Sequence, residues 1–345
     1  MITLLALAAA LLLVTGIWTR LCNAREFQRG LRLFRQGDQR PALPILLPAF
    51  GRPQYLRAVL DSLSRVEGID QTVLVLSQDG SNPEVAALIR DVKFTRVIAL
   101  RHTRPFCGLL CQIWDGTHAV STHIHFLLRF ALEGMQAPAA IVVEDDIVVS
   151  PDFLRFFEWC LTHVLADDRV LSVSTFNLHS RPDPATGYDP RAHPYALIRN
   201  TRDGQDAFPG WGWAITRRQW LRVRATWSFL NWDLKLDETQ RQLGLRCYKP
   251  ALARSRTIGM QGGVNFTELE NNPKWAGILL NDEPLAYAAA PALHEADLAT
   301  PPCVDLKPAA PLPNGLSRNR ARRLTLLAAA AVIIVLEAYC GYGWF

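Results

Sequence analysis

An apolar run at residues 139–143 (AAIVV) stops abruptly at three consecutive acids, Glu144-Asp145-Asp146. Such a run is too short for a helix and fits a strand buried on both faces. Three adjacent carboxylates at its end repel one another, so the fold must offer them water or a cation. Two further runs share this plan. Residues 43–48 (LPILLP) lead to Gly51-Arg52-Pro53, and residues 72–76 (TVLVL) lead to Ser77-Gln78-Asp79-Gly80. Residues 97–100 read as another strand, and 103–120 as irregular. Helical patterns lie between the strands. One runs from Arg52-Pro53 to about Arg65, with Tyr55, Leu56, Val59, Leu60 and Leu63 on one face. Asn82 caps a second that has Pro83 at its first position. A third covers 122–135, and Ser150-Pro151 cap a fourth from Asp152 to about Val164. Alternating strands and helices on short links predict an α/β fold with a parallel, doubly wound sheet. In such sheets ligands bind beyond the carboxyl ends of the strands, where Arg52, Asp79 and the acidic triplet fall.

Apolar residues make up 49% of the 345 and charged residues 20%. That balance excludes a disordered chain, a collagen and a coiled coil. The net charge of +5 is unevenly placed. Residues 1–40 hold six arginines against Glu26 and Asp38, and residues 316–345 hold four against Glu337, so the middle of the chain is net acidic. A nucleic-acid binder carries its positive surplus on the folded domain, so nucleic acid is not expected as a partner.

Both flanks are apolar. Residues 2–18 are long enough to span a bilayer as a helix and lack the basic start of a cleaved signal peptide. The predicted organisation is a membrane anchor at 1–19, a basic linker helix at 20–40, one domain at 41–300, a Pro/Arg-rich linker at 301–323, and a hydrophobic segment at 324–345. The last segment spans or lies at the interface, with Glu337 as its cost. Membrane lipid is therefore an expected partner. Both arginine clusters lie on the domain side, which places the domain in the cytoplasm by the positive-inside rule. The seven cysteines show no zinc-binding spacing and, being odd in number, no complete disulfide framework.

Four groups of residues carry chemistry. Glu144, Asp145 and Asp146 suit a hard divalent cation, Mn²⁺ or Mg²⁺, shared with substrate phosphates; the alternative is a solvated acidic turn. No glycine-rich phosphate loop is present, so a bound diphosphate has to be held mainly through metal. Phe208-Pro209-Gly210-Trp211-Gly212-Trp213 offers close backbone approach and an indole face for a sugar, or else a tight turn with core aromatics. Asn231-Trp232-Asp233 places a carboxylate in an apolar stretch, where burial raises its pKa and suits a general base. Asp237 and Glu238 are rivals for that role, and a helix-start carboxylate is the plain alternative. His118, His123 and His125 read as structural.

Taken in order, these motifs resemble the N-acetylglucosaminyltransferase I family of inverting GT-A glycosyltransferases. The resemblance runs over about residues 44–267. It rests on Gly51-Arg52-Pro53-Gln54-Tyr55-Leu56, Leu76-Ser77-Gln78-Asp79, Val142-Val143-Glu144-Asp145-Asp146, Ser150-Pro151-Asp152-Phe153, Pro209-Gly210-Trp211-Gly212-Trp213, Trp232-Asp233 and Ser255-Arg256-Thr257. It implies a Rossmann-like GT-A domain that moves GlcNAc from UDP-GlcNAc to a mannose-type acceptor in β-1,2 linkage by one metal-assisted displacement. Arg52 and Asp79 are then expected at the uridine end of the donor, and Glu144 and Asp145 at its sugar and ribose. The resemblance further implies Asp146 as the metal ligand and Asp233 as the base. Trp211 joins the donor site, and residues 262–267, including Val264 and Asn265, resemble a loop that closes over it. Cysteines of the family's disulfides are replaced by Phe50, Gly80 and Ser172, which leaves Cys247 without its partner. The family's animal members face the Golgi lumen, against the cytoplasmic placement read from the arginines, so the side of the membrane stays open. Other readings keep the fold with another UDP-sugar, or make the chain a non-catalytic sugar-binding membrane protein. A metal-dependent phosphotransferase or nuclease is a third, which the acidic domain disfavours.

Overall fold

Four parallel strands, β1 (Ile45–Ala49), β2 (Val73–Asp79), β3 (Arg96–His102) and β4 (Ala139–Val142), form half of an eight-stranded sheet in the computed structural model. The model describes residues 2–38, 40–104, 116–202, 204–229, 231–259, 277–283 and 285–287, without the side chains of 2–13. The chain divides by compactness between Ala299 and Thr300. The second unit, with the linker at 301–323 and the segment at 324–345, lies outside the described residues.

The other half holds β6 (Val170–Ser174), β7 (Leu197–Arg199), β10 (Trp213–Thr216) and β11 (Arg246–Pro250), and the sheet order is β3-β2-β1-β4-β10-β6-β11-β7. Here the sheet departs from the all-parallel expectation. β10 is antiparallel to both β4 and β6, and β7 is antiparallel to β11. The reason lies in the connection. β6 ends at the carboxyl edge shared by β1–β4, the chain comes back to that edge at Gly210–Gly212 beside Ser174 and Thr175, and β10 runs back from there. Two short pairs complete the strands: β5 (Ile147–Val149) with β12 (Ser255–Thr257), and β8 (Thr201–Arg202) with β9 (Gln205–Asp206). Most of the sheet is parallel and helices cover both faces, so the α/β class holds.

Alternation along the strands sorts the core. Ile45, Leu47, Leu74, Leu76, Ile141 and Val143 meet α2 (Pro53–Leu63) and α5 (Phe153–His163) on one face. Leu46, Val73, Val75, Ile98, Leu100 and Val142 meet α1 (Ile2–Arg35) and α4 (Thr117–Arg129) on the other. In α2 the predicted stripe is buried at Leu56, Val59, Leu60 and Leu63, each worth roughly 1.5–3 kcal/mol. Asn82 caps α3 (Pro83–Asp91) as expected, accepting from the Glu84 and Val85 amides. The Ser150 cap does not form. The Ser150 hydroxyl donates to Asp152, and α5 begins after Asp152 without a side-chain cap. The helix expected over 122–135 starts earlier, at Thr117, and widens into a π-helical turn at Phe130–Gly134.

Residues 20–40 are not a loose linker. α1 is one continuous helix, and its second half is built into the domain, with Leu31 and Phe34 buried. It runs antiparallel to β3, the edge strand. Arg96 donates to the Leu33 and Phe34 carbonyls, Arg29 donates to the Ala99 carbonyl, Glu26 accepts from the Arg101 amide at 2.7 Å, and Asn23 bonds both the amide and the carbonyl of Thr103. Gly30 and Gly134 allow this approach. A Cβ on Gly30 would lie 2.5 Å from Leu100, and one on Gly134 would lie 2.8 Å from Phe27. No helix among the described residues is long and apolar enough to cross a membrane.

Candidate active site at the carboxyl edge of the sheet

Parallel pairing brings the predicted residues together. Ala49 pairs with Gln78, Leu46 with Val142, and Asp79 with His102, so β1–β4 end side by side. Arg52, Asp79 and Glu144–Asp146 follow those ends. Arg52 pairs with Asp145 and, at 2.8 Å, with Asp146, while the Phe50 amide donates to Asp145 at 3.3 Å. Asp145 and Asp146 are buried and Glu144 is partly so. One guanidinium thus faces three carboxylates. Burial and then the charges of Asp146 and Asp145 push the Glu144 carboxyl up to about 8, against the opposing pull of Arg52. Asp233 adds to that push, so its charge is felt at the triplet. Burial likewise raises Asp145, partly offset by Arg52. Among the described residues the buried Arg52 Nη1 has no acceptor.

A divalent cation fits this oxygen-only donor set, because it would offset charge that Arg52 alone does not. Residues 255–259 wall the set. β12 pairs with β5, which directly follows the triplet, the Ile258 amide donates to the Asp146 carbonyl, and a Cβ on Gly259 would lie 2.2 Å from Asp146 Oδ2.

A second cluster was not anticipated around Asp79. This carboxylate accepts from Arg104 at 2.8 Å and meets His102 Nδ1 at 3.3 Å. His102 stacks on His123 with ring centroids 4.7 Å apart, and His123 Nε2 lies 2.7 Å from the Ser77 hydroxyl. Burial would raise Asp79, but the His102 hydrogen bond and the neighbouring positive groups outweigh it and lower the pKa. Burial drives His123 well below its ordinary value, so it is neutral at pH 7. Asp79, His102 and His123 place ligand atoms within 4.8 Å of one another and form a candidate metal group. Arg104 already neutralises Asp79 there, so the acidic triplet is the better-suited cation site. The sequence pattern gives His123 a structural reading and singles out neither His102 nor Arg104. The available signal was register: β3 pairs with β2, so the end of β3 had to face Asp79.

The Trp-rich half divides by burial. Trp213, Trp220 and Trp232 are core, and Trp213, Trp227 and Trp232 form a stacked series. Burial holds His125, set among Trp220, Trp227 and Phe229, down to about 3. Trp211 is different. It is half-buried at the carboxyl edge, edge-on to Phe176, and holds a left-handed backbone (φ 45°) between Gly210 and Gly212. A left-handed tryptophan is strained. Gly212 is required because a Cβ there would meet Thr175 Oγ1 at 2.5 Å.

Asp233 corrects one expectation. It is exposed, in the first turn of α7 (Trp232–Gln242), the helix after α6 (Arg217–Val223), because Trp232 and Leu236 take the buried face. α7 leads by a short link into β11, which is parallel to β6, so its first turn lies toward the carboxyl edge. The rivals have other duties. Asp237 is buried and bonds the Phe208 amide and Arg241, and Glu238 is exposed and pairs with Lys235. Val264, Asn265 and the rest of 262–267 lie outside the described residues. The positions where the resemblance implies disulfides lie close together. A Cβ on Gly80 would lie 3.1 Å from the Phe50 ring, and Ser172 Oγ lies 3.1 Å from Cys247 Sγ.

The GNT-I family model matches residues 23–289. The chain belongs to the GNT-I family. The match begins inside α1, in keeping with that helix being part of the domain. The alpha-1,3-mannosyl-glycoprotein 2-beta-N-acetylglucosaminyltransferase of Arabidopsis thaliana is 24% identical over 240 residues, which cover 68% of this chain and 51% of that enzyme. The chain thus spans about half the length of that relative. The human alpha-1,6-mannosyl-glycoprotein 2-beta-N-acetylglucosaminyltransferase is 38% identical over 56 residues, 16% of this chain and 12% of its own. Among solved structures, S. aureus TarS (residues 1–349) superposes with TM-score 0.40 at 11% identity, covering 63% of this chain and 60% of that one. Glucosyl-3-phosphoglycerate synthase of Mycobacterium tuberculosis does so with TM-score 0.33 at 15% identity, covering 59% and 66%.

Proposed function

We propose that this chain is a GT-A glycosyltransferase that moves GlcNAc from UDP-GlcNAc to a mannose-type acceptor, with inversion. The observation that carries the reading is the carboxyl edge itself, where Arg52, Asp79 and the Glu144–Asp146 triplet converge. Membership of the GNT-I family supports the donor, and the Arabidopsis relative's name supports a mannosyl acceptor and a 2-β linkage.

Asp146 would hold Mn²⁺ or Mg²⁺, with Glu144 and Asp145 beside it. That cation would supply positive charge to the departing diphosphate. The unpartnered Nη1 of Arg52 offers a donor to the nucleotide. Asp79, fixed by His102 and Arg104, presents a carboxylate for the base. Trp211 gives the sugar an aromatic face at the edge. Asp233, exposed in the first turn of α7, takes the proton of the acceptor hydroxyl.

The test is calorimetric titration of UDP-GlcNAc into the full chain, with Mn²⁺ and with EDTA, beside Asp146→Ala and Asp233→Asn. Metal-dependent binding lost in Asp146→Ala, with turnover but not binding lost in Asp233→Asn, supports the reading. Binding of another UDP-sugar in place of UDP-GlcNAc transfers the proposal to that donor. A folded chain that binds no UDP-sugar sinks it in favour of a non-catalytic role.

A further inference from the structure

We infer that the donor-binding edge of the sheet faces a lipid bilayer at close range, so that its acceptor is a glycan held at the membrane surface. The inference deepens the transferase reading above and rests on it for the acceptor.

The argument is one of direction. α1 runs antiparallel to β3: Leu33 and Phe34 lie at Arg96, Arg29 at Ala99, Glu26 at Arg101 and Asn23 at Thr103. Residues before Asn23 therefore continue past the carboxyl end of β3. That is the end where His102 and Arg104 hold Asp79. The apolar run at 2–18 belongs to this part of the helix. Had α1 run parallel to β3, the same run would leave from the opposite edge.

The surface of α1 changes there. Val14, Ile17, Trp18 and Leu21, spaced along one helix face, are 62%, 50%, 63% and 56% exposed. Exposed Arg20 sits at the end of that stripe, beside Leu21, and exposed Arg25 and Arg101 follow on the domain side. Apolar side chains followed by a basic band fit acyl chains followed by anionic headgroups. The five residues from Trp18 to Asn23 span about 8 Å of helix. No loose connector separates apolar helix from domain, since α1 is continuous to Arg35. A fixed short offset gives this edge access to glycans anchored in the membrane and hinders bulky soluble acceptors.

The full chain, reconstituted in phosphatidylcholine/phosphatidylglycerol vesicles, carries a fluorescent amino acid at Ser81, just past β2, or at Lys93, just before β3. Both sites are exposed. The seven residues of β3 set the two edges about 23 Å apart. Energy transfer to a headgroup dye should be at least about twofold greater from Ser81. Equal transfer, or more from Lys93, overturns the orientation. Failure to float with vesicles overturns the lipid contact, and self-association in its place would assign the stripe to a second copy of this chain. Transfer to an alkyl mannoside in the vesicles should exceed transfer to methyl mannoside in solution, and the reverse overturns the acceptor class. Loss of UDP-GlcNAc binding with the energy-transfer asymmetry intact sinks the transferase reading while leaving the orientation standing.

Discussion

Gly259→Ala tests whether Asp146 holds the cation. The new Cβ would stand 2.2 Å from Asp146 Oδ2 and 2.8 Å from its Cγ. Ordinary contact begins near 3.4 Å, so the carboxylate must retreat by about 1 Å. It has little freedom to do so, since Arg52 grips the same oxygen at 2.8 Å and the side chain is buried. Metal–oxygen bonds of about 2.1 Å for Mg²⁺ do not survive a displacement of that size. Mn²⁺-dependent UDP binding should fall about 10- to 100-fold, about 1.4 to 2.7 kcal/mol. The melting temperature should hold, because Gly259 has no positive φ to lose. Calorimetry with and without Mn²⁺ reads the first quantity and a thermal scan the second. Unchanged metal-dependent binding would refute the reasoning, and so would a collapse of the fold, which would place the strain in the backbone instead.

Three other outcomes are expected. Asp152→Ala strands Arg254, which is wholly buried and among the described residues otherwise bonds Tyr287 and the Leu252 and Pro194 carbonyls; urea unfolding should show a loss of about 3–5 kcal/mol. Ser172→Cys should oxidise with Cys247, its partner in strand register, and mass spectrometry under non-reducing conditions would show the loss of two hydrogens. Asp79 has a folded pKa below its ordinary 3.8, so it contributes stability above that value and loses it as pH falls through the folded value. Urea midpoints from pH 6 to pH 3 should accordingly fall more steeply in the native chain than in Asp79→Asn.

Most of the parallel half was legible because five-residue apolar runs ending in polar triplets leave few alternatives. The register of those runs then placed Arg52, Asp79 and the acids on one edge without further information. What stayed hidden depended on contacts remote in sequence. The antiparallel β10 follows from where the 175–212 segment lies, and nothing in Trp213–Thr216 announces its direction. The burial of Asp233 was misjudged because Trp232 beside it suggested an apolar setting, whereas in a helix adjacent residues face different ways. His102 falls just beyond the strand read at 97–100 and Arg104 in the stretch read as irregular, and their role comes from the pairing of β3 with β2. α1 looked like a linker because its arginines suggested a solvated helix, yet Arg29 spends its charge on Glu26 and a β3 carbonyl.

The hydrogen bonds from α1 to β3 have a practical consequence. β3 is an edge strand, and an edge with free amides and carbonyls invites another chain to add a strand. Asn23, Glu26 and Arg29 occupy those groups at Thr103, Arg101 and Ala99. Trimming the chain at residue 41, where the sequence suggests that the domain begins, would strip this cover and leave a sticky border along the sheet. A chain begun at residue 20 keeps it. Light scattering of the two recombinant forms should show more aggregation in the shorter than in the longer, and equal scattering would show that the second half of α1 does not guard the sheet edge.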